Sequence, residues 1–146
     1  MVSKMENDML VKGVTGFPDQ AIVTVPDLAD SIVLTSSAAG TWAGGYGAAA
    51  AILASGSNTV RRKIIGLIAS APSAVVDFQI QILEGTTTKI QVPVSPIVAD
   101  TGAAAFIPFA HPVVIEAGNA INGKCACNGG VQKTISVKLM AVEMPF

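Results

Sequence analysis

Hydrophobic and polar residues alternate at a period of two in three stretches of this chain, which predicts three β-strands. The clearest stretch is VVDFQIQILEG at 75–85. On a pleated strand its apolar and polar side chains project to opposite faces: Val76, Phe78, Ile80 and Ile82 against Asp77, Gln79 and Gln81. KIQVPVSPIV at 89–98 and TISVKLMAV at 134–142 show the same alternation. Each of these strands is therefore predicted to have one buried face.

Proline positions indicate which strands lie at the edge of a sheet, because proline donates no backbone hydrogen bond. Pro26 confines the segment AIVTVPDLADSIVLTSS to an edge strand or a loop. Pro93 and Pro96 indicate an edge for the strand that contains them. A further apolar strand, RRKIIGLIASAPSA, is predicted to end at Pro72.

Two segments need a closer interpretation. GGYGAAAAILASGSNTV at 44–60 has an alanine run that favours helix, but it is short and flanked by glycine, serine and threonine, so a strand is favoured. HPVVIEAGNAINGKCAC at 111–127 is predicted to be a strand, a tight turn and a second strand, since Gly118 and Asn119 tolerate the positive φ of a turn.

Short strands about ten residues apart, separated by glycine and proline, are typical of a β-sandwich or barrel. The first twenty residues have little periodicity and are predicted to form an extended arm. We therefore expect an all-β chain in which 1–38 are an N-terminal arm and edge segment and 39–146 are the sandwich domain.

Low charge is the unusual feature of the composition. Ionised side chains make up 13% of the 146 residues, against about 25% in an average soluble domain, and the net charge is −1. A chain with so few charges tends to self-associate. We expect permanent protein contacts to cover its surface and expect no nucleic-acid partner. Residues 31–60 carry no charge, but polar residues and glycines interrupt them, which argues against a membrane span.

The stretch that holds both cysteines and the single histidine suggests chemistry at first sight. Cys125 and Cys127 are two residues apart, which does not match the usual ligand spacing of a structural zinc site. We interpret them as buried thiols, and we interpret His111 as a solvent or interface residue. The GGYG run lacks the context of a nucleotide-binding loop and favours a turn or a close backbone contact. No catalytic, cofactor or metal site is predicted.

Arg61, Arg62 and Lys63 form the only basic cluster. Alternation sends Arg62 to the opposite face from the other two, so the favoured interpretation is pairing with acids of a partner chain, with a solvated face as the alternative. Trp42 and Tyr46 are interpreted as core or interface anchors, with stacking on a sugar as the alternative.

The C-terminal two thirds resembles the small virion proteins of tailed bacteriophages. The resemblance rests on two segments. VDFQI matches the pattern of a (V/A)DFxI strand, and PVVIEAGNAI matches the pattern of a P-(V/I)-x-I-x-A-G-x-x-I turn. It implies a jelly-roll-like antiparallel β-sandwich with an extended N-terminal arm, in the class of capsid decoration, or cement, proteins. Such a protein has no enzymatic activity, binds the major capsid protein outside the head, forms a dimer or trimer, and is made in the host cytoplasm.

Under this hypothesis the interface residues are Phe17, Trp42, Tyr46 and the basic cluster at 61–63. Two alternatives stay open. The first is a tail or fibre-tip module that recognises host carbohydrate through Trp42 and Tyr46. The second is a hydrolase that uses His111 as a base.

Overall fold

A computed structural model describes residues 22–27, 30–98 and 102–144 of the chain. The predicted arm, with Phe17, lies outside these ranges. Nine strands follow one another along the described residues: β1 (Ile22–Val25), β2 (Ile32–Thr35), β3 (Ala50–Leu53), β4 (Arg61–Ser70), β5 (Phe78–Glu84), β6 (Thr87–Val94), β7 (Ala104–Ile115), β8 (Ile121–Cys127) and β9 (Thr134–Met144). Two short 3-10 turns, Trp42–Gly44 and Ser55–Ser57, flank β3. No helix in these ranges has the length and apolar character of a membrane span.

The strands pair as a rolled-up hairpin. Antiparallel pairs nest one inside the next, β5 with β6, β4 with β7, β3 with β8 and β2 with β9. The pairs β5–β8 and β4–β9 then join them into two sheets. Sheet A has the order β1-β9-β4-β7, with β2 also on β9, and sheet B has the order β3-β8-β5-β6. This connectivity is a jelly roll, which confirms the predicted fold class.

The core lies between the two sheets and consists of the residues that the alternation pattern placed inside. Phe78, Ile80 and Ile82 of β5 are at most 2% exposed, and so are the inward residues of β9 from Ile135 to Leu139. The polar residues between them face outward. Two sheets that each bury one face leave two outer faces, and the candidate sites lie there.

Prolines lie on edge strands, as the sequence predicts. Pro93 is in β6 at one edge of sheet B, and β1 ends before Pro26 at an edge of sheet A. The other edge of sheet A, β7, departs from a simple ladder. Ile64 pairs with Val113 and Gly66 with Pro108, so residues 109–112 bulge out of the pairing.

The ambiguous segment 44–60 contains a strand, β3, rather than a helix. The close backbone contact expected of GGYG is found at Gly47, which passes against β2. A methyl group on Gly47 would lie 1.9 Å from the carbonyl oxygen of Thr35. Only glycine therefore allows this backbone to cross so near the opposite sheet.

Candidate interaction surfaces

The outer side of sheet A is hydrophobic, and we call it the apolar face. The strand register defines rows of side chains that run across this face. The row at one end is Ile22–Val142–Lys63–Val114, and the row at the other end is Val33–Ser136–Ser70–Ala104. Between these rows lie Met140, Ile68, Phe106 and Pro108. The apolar face is thus a continuous surface of strand side chains.

Three apolar side chains of this face are more than half exposed: Ile22 at 58%, Val33 at 55% and Phe106 at 53%. The Phe106 ring lies over Gly66, where an added methyl group would be 2.7 Å from Cε2. The charged residues of the face are Lys63, in one end row, and Lys138, between the two end rows, and no outward strand position from one end row to the other carries a carboxylate. Large exposed apolar patches of this kind mark interaction sites.

The outer side of sheet B is polar, and we call it the amide face. Its side chains are linked by hydrogen bonds across β5 and β6. Gln81 Nε2 donates to Gln91 Oε1 at 3.1 Å, and Gln91 Nε2 donates to Gln79 Oε1 at 3.1 Å. Thr88 Oγ1 donates to Gln81 Oε1 at 3.3 Å. Each amide is held in one orientation by its neighbours, so the face is a preorganised array of donors and acceptors.

Tyr46 lies at the border of the amide face. Its hydroxyl donates to Gln79 Oε1 at 3.2 Å, and the Lys124 ammonium lies 5.5 Å from the ring centroid. Burial raises the pKa of the Tyr46 phenol more than a hydrogen bond from Gln81 lowers it. The phenol therefore stays a neutral donor at physiological pH. Trp42 is 42% exposed on its 3-10 turn, which Thr41 caps by accepting from Gly44 N.

Both arginines of the basic cluster form ion pairs within the chain. Arg61 Nε lies 3.2 Å from Glu116 Oε1, and Arg62 Nη2 lies 3.1 Å from Glu143 Oε1. The sequence favoured acids of a partner chain for these pairs, and for both arginines that interpretation is wrong: long-range strand pairing supplies the acids. Lys63 is exposed on the apolar face. Alternation correctly separated Arg62, which is 9% exposed, from its two neighbours.

Asn58 is a residue that the sequence interpretation missed. It is fully buried, and its Nδ2 donates to the carbonyls of Glu116 and Asn119 at 3.0 and 2.8 Å. Its Oδ1 accepts from Arg62 Nη1. A buried amide needs all its partners, so Asn58 fixes the turn after β7 to the start of β4. Beside it, Arg62 and Glu143 line a cavity of about 400 Å³ at this end of the sandwich.

The cysteines are buried thiols, as predicted. Both are free and fully buried, and Cys127 Sγ lies 3.3 Å from Ser36 Oγ. Burial, with the neighbouring Cys127, raises the pKa of Cys125 to about 12. Among the described residues no group of three or more histidine, cysteine or acidic side chains could hold a metal.

His111 is exposed in the β7 bulge, in a groove of about 500 Å³ that Lys89 and Pro112 also line. The described residues that line this groove include no carboxylate. A histidine that acts as a base is usually oriented by an acid, and the groove does not provide one.

No protein-family model and no curated protein matches the chain. Among solved structures it is similar to the insecticidal delta-endotoxin Cry8Ea1 from Bacillus thuringiensis, with a TM-score of 0.44 and 15% identity over 79% of this chain and 20% of that one. It is also similar to infectious bursal disease virus, Gt strain, with a TM-score of 0.41 and 19% identity over 86% of this chain and 33% of the other. The VP2 subviral particle of infectious bursal disease virus gives a TM-score of 0.37 and 19% identity over 86% and 32%.

The chain thus spans between a fifth and a third of the length of these three proteins. These similarities are low, and the jelly-roll assignment rests on the strand pairing of this chain.

Proposed function

We propose that this chain is a structural protein of a virus particle, which docks on the outside of a capsid through its apolar face and links neighbouring major capsid protein subunits. The observation that carries the proposal is the exposure of Ile22, Val33 and Phe106 on one sheet face without a carboxylate. The resemblance of the C-terminal two thirds to small virion proteins of tailed bacteriophages supports it.

Burial of the apolar face supplies the binding free energy. Removing apolar surface from water contributes about 25 cal/mol per Å². Each exposed strand side chain therefore adds to docking, while the hydrogen-bonded backbone beneath it keeps the surface rigid. Many copies on one shell would add strength by linking adjacent subunits.

The charges of the apolar face define the partner surface. Lys63 and Lys138 lie on the face, and the outward strand positions between its end rows carry no acid. A second copy docked face to face would bring lysines towards lysines, which disfavours that arrangement. The expected occupant is therefore a different protein surface, with an apolar strip bordered by carboxylates.

The test compares one substitution on each outer face. Phe106→Glu places a carboxylate on the apolar face, in its edge strand β7, and Gln91→Glu places the same group on the amide face. Binding is measured by co-sedimentation with empty shells of the major capsid protein from the same phage. Phe106→Glu should weaken binding by about tenfold or more, and Gln91→Glu by less than about twofold. Equal binding of Phe106→Glu and the unsubstituted chain would contradict the proposal.

The N-terminal arm is proposed to add to this attachment. Deletion of residues 1–20 should leave the sandwich folded, because β1 begins at Ile22. Circular dichroism would check the fold, and the same sedimentation assay would measure the loss of binding. A truncated chain that binds shells as tightly as the full chain would show that the arm, including Phe17, does not contribute.

The amide face favours a second candidate function, recognition of a neutral carbohydrate by a tail or fibre-tip module. Tyr46, Gln79 and Gln91 offer a ring edge and fixed amides, which suit the hydroxyl groups of a sugar. A glycan array would test it, with Gln79→Ala as the variant expected to lose binding. Array binding together with failure to bind shells would favour this candidate over the first.

A further inference from the structure

The chain contains two Asn-Gly dipeptides, Asn122–Gly123 in β8 and Asn128–Gly129 just after it. An asparagine before glycine can lose ammonia without a catalyst, because glycine has no β-carbon to obstruct attack by its backbone nitrogen on the preceding side-chain amide. The reaction is a ring closure, so its rate depends on whether the backbone can bring the two groups together. The two dipeptides lie in different structural surroundings, and the comparison predicts which of them reacts.

The backbone at Asn122 is held on both sides. Gly123 is buried and lies opposite Ala50 of β3 and Ile82 of β5, so β8 is an inner strand at this point. The Asn122 side chain is also fixed, since its Nδ2 donates to the Gly85 carbonyl at 2.7 Å. Ring closure at Asn122 would therefore require the loss of this hydrogen bond and the opening of two strand pairings.

Asn128 lies outside the strand ladders, at an exposed position in the loop between β8 and β9. Its backbone N–H donates to the Asp77 carbonyl at 3.1 Å, whereas no described residue hydrogen-bonds its side chain. Rotation of the Asn128 side chain towards the next peptide unit therefore breaks no hydrogen bond to the described part of the chain.

One contact restrains the attacking nitrogen of this second dipeptide. Gly129 N and Gly130 N both donate to the Gly40 carbonyl, at 2.8 and 2.9 Å. Gly40 packs closely against the same loop, because a methyl group on Gly40 would lie 1.9 Å from the Val131 carbonyl oxygen. Release of Gly129 N from Gly40 thus requires a local opening of the loop, which costs less free energy than opening a strand in the middle of a sheet.

We propose that Asn128 is a site of spontaneous deamidation and that the Gly40 carbonyl limits its rate. When the loop opens, Gly129 N forms a bond with Asn128 Cγ, the Cγ–Nδ2 bond breaks, and the amide leaves as ammonia with the proton from Gly129 N. Water then opens the cyclic imide at either carbonyl, which gives aspartate or isoaspartate at position 128. Water is the only co-reactant, and the inference does not depend on the proposed docking to a shell.

The product adds a negative charge to a chain whose net charge is −1. The new carboxylate would lie at the end of sheet B near Asp77, an exposed acid whose backbone carbonyl accepts from Asn128 N. Like charges at this distance repel each other. Isoaspartate also adds a methylene group to the backbone, which displaces Gly129 and Gly130 from the Gly40 carbonyl. Both effects weaken the attachment of the loop to the sandwich.

Peptide mapping of the folded chain tests the site. Trypsin cleaves after lysine, so Asn122 lies in the peptide 90–124 and Asn128 in the peptide 125–133. At mildly alkaline pH, the mass increase of deamidation should appear in 125–133 at least about tenfold faster than in 90–124. In guanidinium the two peptides should change at similar rates, because both dipeptides are then unfolded. Equal rates in the folded chain, no change in 125–133, or the same preference in guanidinium would overturn the inference.

Two substitutions test the role of the loop. Gly129→Ala places a β-carbon beside the attacking nitrogen and should slow the reaction at Asn128 by about tenfold or more. The closest atoms to the added methyl group belong to the flexible Lys133 side chain, with Cε at 2.9 Å, so the fold should be retained. Gly40→Ala should loosen the loop and speed the reaction at Asn128, while Asn122 stays unchanged.

Gly56→Ala is the matched control, because nothing lies within 4 Å of its added methyl group, and it should leave both rates unchanged. Circular dichroism checks that each variant is folded. Gly129→Ala decides alone if Gly40→Ala does not fold. A folded Gly129→Ala variant that deamidates at Asn128 as fast as the unsubstituted chain would overturn the proposed ring closure.

Discussion

The two outer faces of the sandwich differ in how their side chains interact with water. Both consist of outward side chains on twisted antiparallel strands. On the amide face, Gln79, Gln81 and Gln91 bond to one another, so the polar groups are fixed before any ligand arrives. On the apolar face, Phe106 and Val33 stand exposed. The polar groups of the amide face are already hydrogen-bonded within the chain. The apolar face gains free energy when another surface covers it.

The difference shows that the low overall charge of the chain affects the two outer faces differently. The amide face stays compatible with water without ionised groups, because amides bond to water and to each other. The apolar side chains of the other face form no such hydrogen bonds. Docking on another protein is therefore expected from sheet A, and not from the amide face.

The largest expected effect is a loss of stability at Gly47, where the backbone beside the amide face passes close to β2. Gly47→Ala puts a methyl group 1.9 Å from the Thr35 carbonyl oxygen, in a backbone crossing next to Tyr46. The substitution should lower the free energy of unfolding by about 3 kcal/mol in urea denaturation. Gly56→Ala is the control, since nothing lies within 4 Å of its added methyl group. Equal destabilisation by the two substitutions would refute the close crossing.

A smaller effect is expected from Glu84, at the end of β5, where the sheet of the amide face meets the turn that leads from sheet A. Its Oε2 accepts from Glu116 N at 2.7 Å and from Asn119 Nδ2 at 3.1 Å. Glu84→Gln should lower the free energy of unfolding by about 1–2 kcal/mol at neutral pH. Asp77→Asn, at an exposed acid beside the same strand, should change it by less than about 0.5 kcal/mol.

The same carboxylate predicts a pH dependence. The backbone hydrogen bond from Glu116 lowers the pKa of Glu84 below its ordinary value of 4.5. Its contribution is therefore complete above that value and is lost as the pH falls through the lower pKa of the folded state. The difference in stability between Glu84→Gln and the native chain should shrink as the pH falls below 4.5. A difference that is constant with pH would show that the carboxylate charge is not involved.

An exchange of side chains between the faces should affect stability least and surface behaviour most. Phe106→Gln and Gln91→Phe both change exposed positions, so each should alter the free energy of unfolding by less than about 1 kcal/mol. Retention on a hydrophobic-interaction column should fall for the first and rise for the second. Equal retention of the two variants would mean that the apolar face is not accessible in solution.

The smallest expected effect is that the two thiols of the folded chain do not react with a thiol reagent. Cys125 and Cys127 lie on the inner side of the strand that carries Lys124 of the amide face. With the pKa of Cys125 at about 12 and both thiols buried, the folded chain should not react with Ellman's reagent at pH 8 within minutes. Both thiols should react after unfolding in guanidinium. Rapid reaction of the folded chain would show that the core opens to solvent.

Sequence patterns predicted the features that depend on neighbours along the chain. The period of two placed Phe78, Ile80 and Ile82 inside, and proline placed β6 at an edge. Both depend on local geometry, namely the pleat of a strand and the missing amide of proline. The buried thiols followed from the same reasoning, since Cys125 and Cys127 share one side of a strand.

Features that depend on register could not be predicted. Arg62 finds Glu143, far along the chain, because β4 pairs with β9, and Gln81 meets Gln91 because of the β5–β6 alignment. A shift of one residue would exchange the faces and break both contacts. The role of Asn58 depends in the same way on a turn that is distant in sequence. The sequence therefore assigned Arg61 and Arg62 to acids of a partner chain, whereas their acids lie in the same chain.

The position of β9 in sheet A has a consequence for biosynthesis. Strand β9 pairs with β1 and β2 on one side and with β4 on the other. Strands β1 and β2 thus leave the ribosome about a hundred residues before the strand with which they pair. A nascent chain that stops before Thr134 would expose their unpaired edges, so sheet A can close only after β9 has been synthesised, and this delay favours slow folding.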